Sequence, residues 1–111
     1  MPNLAVRIDT EGGPSVVYSS DTEPCDAVVE LARHADTLIH DATFAEGESR
    51  HGVHSTAAQA GMVAARAGVR RLILAHIGSP HHEAPDRLAA EARDRFGGEV
   101  EVAEEFVPYP L

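Results

Sequence analysis

The chain has 111 residues, 43% apolar and 24% charged, enough for a single domain with a modest core and unlike a disordered sequence. Eighteen acidic residues against nine basic ones, all of them Arg, give a formal charge of −9, which argues against strong nonspecific nucleic-acid binding. No apolar run reaches membrane length, the start MPNLAVRID has no leader pattern, and the lone Cys25 excludes an internal disulfide, so the expectation is a soluble cytoplasmic protein without a membrane partner.

In chain order, Leu4 to Asp9 alternates weakly and is followed by Thr10-Glu11-Gly12-Gly13-Pro14, which predicts a hairpin with a Gly-rich turn. The second strand is the VVYS of Val16 to Ser19, running into a polar turn at Ser20-Asp21-Thr22. Pro24 to His34 sets Val28, Val29, Leu31 and Ala32 on one face and Asp26, Glu30 and Arg33 opposite, as an amphipathic helix does. Asp36 to Asp41 is a third strand, and the polar stretch Ala45 to Val53 reads as a loop.

Ser55 to Ala67 is the longest helical pattern, rich in Ala, with Ser55 or Thr56 as its cap and Gly68 as its stop. Arg70 to His76 is the most apolar strand, expected to be central and parallel to those before it. Pro85 to Phe96 is a third amphipathic helix closed by Gly97 and Gly98, and Glu99 to Glu104 alternates as a half-exposed edge strand. Strand and helix alternate, so the fold class is α/β, a mixed sheet with about three helices packed on it.

In a parallel arrangement four polar residues fall at one rim. Asp21 follows the second strand, Asp41 ends the third, His54 opens the long helix and His76 ends the fourth strand. Open α/β sheets bind their ligands at the carboxyl ends of strands. Carboxylate and imidazole groups there suit zinc, manganese or iron, and also acid/base chemistry. Each residue also has a plainer role: Asp21 and Asp41 as turn acceptors, His76 as a core histidine, His54 as an ordinary helix-start residue. His40, His51, His81, His82 and Cys25 carry weaker signals. Arg66, Arg70 and Arg71 form the nearest thing to a basic patch, which as a group this small reads as a solvated helix end.

The blocks VVYSSDT, ADTLIHDATF, HSTAAQAGMVAARAGVRRLILAHIGSP and EVAEEF resemble, in order and over nearly the whole chain, the carboxyl-terminal half of the metallo-β-lactamase fold on its ribonuclease Z-like branch. That resemblance implies an αββα sandwich of which this chain is one half-domain, residues 1–111. It implies that Asp21 bridges two metal ions, zinc in the first instance, and that His76 is a ligand of the second. It also implies that His54, paired with Asp41 where the family usually has Glu, protonates the leaving oxygen.

Two departures matter. The H-x-H-x-D-H signature of the family's amino-terminal half is absent from these residues, and the loop from Ile77 to His82 lacks the Ser-x-Arg-Tyr ending of tRNA-processing members. The expectation is therefore a metal-dependent phosphodiesterase acting on a small phosphodiester or RNA. It is not active as this segment alone, and its partner is a missing amino-terminal half or a second copy. The alternatives are a noncatalytic partner module, or a lactone, thioester or β-lactam hydrolase on the same fold.

Overall fold

The computed structural model describes residues 5–19, 26–42, 56–75 and 86–103. The expected elements follow in the expected order: β1 (Val6–Asp9), β2 (Ser15–Tyr18), α1 (Asp26–Leu31), β3 (Thr37–Asp41), α2 (Ala57–Ala67), β4 (Arg71–Ala75), α3 (Asp86–Phe96) and β5 (Glu99–Val102). The predicted ends at Leu4, Pro24, Ser55, His76, Pro85 and Glu104 lie outside the described residues.

The five strands form one sheet in sequence order. β1 pairs antiparallel with β2, as a hairpin must, and Gly12 takes φ 69° in its turn. β2, β3, β4 and β5 are mutually parallel, each pair bridged by one helix. The most apolar strand, β4, is interior as expected, flanked by β3 and β5 and parallel to both, with β3 as the middle strand of the five.

Val17, Leu38, Leu72 and Val100 are register neighbours across β2 to β5, all buried, and form the floor of the core. Val28 and Val29 of α1, Val63 and Ala64 of α2, and Leu88, Ala89 and Ala92 of α3 close over it in one cluster. The three helices therefore share one face of the sheet.

α1 is shorter than its apolar pattern predicts. His34, at φ 57°, turns the chain out of the helix and donates its amide to the Ala67 carbonyl at 2.9 Å. His tolerates this left-handed region better than most residues. α2 and α3 cross closely at Gly61, where a Cβ would lie 2.5 Å from the Ala92 carbonyl oxygen. The Ala-rich faces permit this approach, and it requires that position 61 carry no side chain.

Candidate functional site

Because α2 ends four residues before β4 begins, its amino terminus lies at the opposite rim, where β3 ends. That rim gathers the carboxyl ends of β2, β3 and β4. The Ser19 amide donates to the Ile39 carbonyl and the Ala42 amide to the Ala75 carbonyl, both at 2.9 Å, so strand pairing persists to the strand ends. Asp41, the last residue of β3, is paired in register with Ala75.

Thr56 starts α2 through a capping box. Its hydroxyl accepts from the Gln59 amide at 3.1 Å, and the Gln59 side-chain oxygen accepts from the Thr56 amide at 2.8 Å. This chooses Thr56 over Ser55 as the cap. The reciprocal pair satisfies two helix-end groups that would otherwise be orphaned. Gly68 closes the helix at φ 74°, as expected.

Of the four predicted site residues, Asp41 has its backbone in β3, whereas Asp21, His54 and His76 lie outside the described residues. So do Cys25, His51, His81 and His82. In sequence, Asp21 comes three residues after the end of β2, His76 directly after β4, and His54 two residues before the Thr56 cap. The structure thus brings together the segments to which all four are attached. Among the described residues, no group of three or more His, Cys, Asp or Glu side chains could hold a metal ion. The expected ligands Asp21 and His76 follow β2 and β4, the parallel strands on either side of β3; a carboxylate and an imidazole are suitable donor types, but a stable site needs three or four ligands.

Sequence reasoning gave no role to the buried polar residues of this rim. Ser19 is 1% exposed and His40 fully buried, on the helix-covered face with Val17 and Leu38. Alternation alone could have found them, since both continue the apolar period of their strands, but a polar residue at such a position reads as the strand's end.

The three arginines of the small basic patch are each paired with acidic side chains. Arg66 pairs with Asp26 at 2.9 Å, Arg70 with Asp36 at 3.6 Å, and Arg71 with Glu101 at 2.8 Å and Glu99 at 3.3 Å. Asp36 also accepts from the Ser15 amide at 2.8 Å; that hydrogen bond, more than the arginine, holds its carboxyl below the usual range. Asp36, Thr37, Arg70, Arg71 and Glu99 line a polar depression of about 290 Å³ at the amino ends of the strands, the rim away from the candidate site. No described helix is long and apolar enough to cross a membrane.

Comparison with known proteins agrees with this topology. The beta-lactamase superfamily domain matches residues 1–77. The chain is 46% identical over 94 residues to a Ribonuclease Z of Myxococcus xanthus, covering 82% of this chain and 31% of that protein. It is 45% identical over 109 residues to a Ribonuclease Z of Natronomonas pharaonis, covering 92% and 35%. It therefore spans about a third of the length of the curated relatives it matches. The metallo-beta-lactamase fold protein YhfI from Bacillus subtilis superposes with a TM-score of 0.80 at 35% identity, covering 90% of this chain and 41% of that one. Metal dependence is implied by this family. The chain belongs to the beta-lactamase superfamily, with the metallo-β-lactamase fold and ribonuclease Z proteins among its relatives.

Proposed function

We propose that this chain supplies one part of a ribonuclease Z-like, metal-dependent phosphodiesterase site and is not active by itself. The carrying observation is the adjacency of β2, β3 and β4 in parallel, so that the segments bearing Asp21, Asp41 and His76 leave one rim beside the start of α2. The Ribonuclease Z relatives favour phosphodiester cleavage, of RNA or a small phosphodiester, over a lactone, thioester or β-lactam.

In this reading Asp21 and His76 are metal ligands. Bound there, a divalent cation, zinc before manganese or iron, supplies Lewis acidity toward the phosphodiester. His54 carries a proton to the departing alkoxide, and Asp41 orients its imidazole. The capping box at Thr56 fixes where α2 begins, two residues after His54 in sequence. The remaining ligands come from polypeptide equivalent to the rest of the relatives. The setting is cytoplasmic, consistent with a single cysteine among these residues.

A second reading, a noncatalytic module that pairs through its sheet with another polypeptide or a second copy, is favoured by the sheet face that carries no described helix. Elemental analysis of the purified, dialysed chain separates the two. Stoichiometric zinc that is lost in both Asp21→Ala and His76→Ala supports the metal-site reading, and metal retained in both variants sinks the ligand assignment. A wild-type chain that holds no metal leaves the affinity with the remaining polypeptide and favours the module.

A further inference from the structure

Two neighbouring rows on the helix-covered face of the sheet differ in kind. Val17, Leu38, Leu72 and Val100 are apolar from strand to strand, whereas the next row toward the candidate rim runs Ser19, His40, Leu74 and Val102. That row is polar on β2 and β3 only. These are the strands that lead into Asp21 and end in Asp41.

The imidazole of His40 has no exposed surface and Ser19 almost none. On its own face His40 is flanked along β3 by Leu38 and Ala42 and across β4 by Leu74, all fully buried. The Ser19–Ile39 and Ala42–Ala75 backbone bonds, each 2.9 Å, lie to either side of it.

Packing alone does not call for a histidine at this position. A Leu fills a similar volume, and burying the polar atoms of an imidazole costs about what their hydrogen bonds return. What a buried polar group adds is alignment. Both ring nitrogens have to meet partners, and few arrangements of the surrounding strands provide them. Because Asp41 is the next residue in β3, whatever fixes the strand at His40 also fixes the backbone from which Asp41 departs.

We infer that His40, with Ser19 beside it, is a positioning residue of the candidate site. The buried polar pair holds the ends of β2 and β3 in one alignment and so sets the place from which Asp41 acts. The inference rests on the role given to Asp41 in the proposed function and adds to it the residue that supports that role from the helix side.

The test compares wild type with His40→Leu, which keeps the volume, and His40→Gln, which keeps a donor and an acceptor. Amide exchange in the 111-residue chain, followed by NMR, reads the alignment without any activity. His40→Leu should leave the urea midpoint in place and speed exchange of the Ser19 and Ala42 amides by about tenfold relative to that of Leu72 in mid-strand, and His40→Gln should reverse the change. Unchanged exchange at Ser19 and Ala42 overturns the inference. So does a uniform rise at all three amides, which marks a residue that serves only the core. If His40→Leu does not fold, Ser19→Ala, the smaller change in the same row, is read by the same amides and the same criteria.

Turnover reads the consequence for Asp41. In an assembly completed by the remaining polypeptide, His40→Leu should lower kcat for a phosphodiester by about 10–100-fold with KM and metal content unchanged, and His40→Gln should recover most of it. Full kcat in His40→Leu overturns the positioning role. An assembly that is inactive with the wild-type chain counts against the proposed function instead, and the amide exchange still decides the alignment.

Discussion

Arg7 Nη1 donates to the Leu31 carbonyl at 2.8 Å and to the Arg33 carbonyl at 3.0 Å, tying the edge strand β1 to the end of α1. Arg7 Nε meanwhile reaches both Asp9 carboxylate oxygens, at 3.0 and 3.1 Å, which holds the guanidinium in place. A helix as short as α1 has little stability of its own, and its last carbonyls have no partners within the helix. A cation among them also complements the helix dipole. Arg7→Ala should lower stability by about 1–2 kcal/mol, since charged hydrogen bonds are worth more than neutral ones and this one is partly exposed. Urea unfolding measures it. A loss below about 0.3 kcal/mol would mean that water replaces the guanidinium at no cost.

Gly61 offers a sharper packing test. A Cβ there meets the Ala92 carbonyl at 2.5 Å and its Cα at 3.1 Å, and backbone cannot rotate away as a side chain can. Gly61→Ala gains helix propensity of about 1 kcal/mol and must still separate α2 from α3. The expected net effect is destabilisation by about 1–3 kcal/mol, as overpacking costs in other cores. An unchanged denaturation midpoint would show that the two helices slide apart easily.

Much of this fold was legible because periodicity survives in short segments. The spacing of Val28, Val29 and Ala32, the alternation of Glu99 to Val102, and Gly68 after an Ala-rich run each name an element from local chemistry alone. What escaped is non-local or ambiguous within a dipeptide. Ser55 and Thr56 are equivalent caps until the reciprocal bonds with Gln59 decide between them. The contacts of Arg7 with α1 and of Asp36 with Ser15 join residues more than twenty apart in sequence, which no window of pattern reaches. The candidate site was legible as four residue types at strand and helix ends; the side-chain geometry that would turn them into a site is carried by segments outside the described residues.

His34 ends α1 at φ 57°, where a Cβ crowds the backbone. His34→Gly removes that strain at the expense of a more flexible unfolded chain, so a gain of about 0.5–1 kcal/mol is expected, and His34→Val should lose more than that. Thermal unfolding of the two variants reads the difference. If both shift the midpoint equally, the ring's packing near Gly68, not the backbone conformation, governs the position.

Asp36 sets an acid limb. The Ser15 amide and hydroxyl, then Arg70, hold its carboxyl below the ordinary value, so the folded state releases this proton more readily than the unfolded state. The stabilisation is therefore fully present above the unfolded carboxylate range and is lost as the pH falls through the lower folded value. Asp36→Asn should destabilise the protein at neutral pH and make stability fall less steeply on acidification below pH ~4. Parallel acid limbs in the two proteins would assign the pH dependence to other carboxylates.

The proton-delivery pair is separable from the metal ligands. In an assembly completed by the remaining polypeptide, His54→Ala should reduce phosphodiester turnover by about 10²–10⁴-fold, the usual contribution of a positioned acid, with metal content unchanged. Asp41→Asn should give a smaller loss, because it disturbs the orientation of the imidazole while leaving it present. Asp41→Glu, which lengthens the side chain by one methylene, should retain more activity than Asp41→Asn, since a carboxylate is kept. The control is a substrate with a good leaving group such as nitrophenolate, which departs without a proton. His54→Ala should then cost little. Equal losses on both substrates would remove His54 from the role of acid, and loss of metal in that variant would make it a ligand instead.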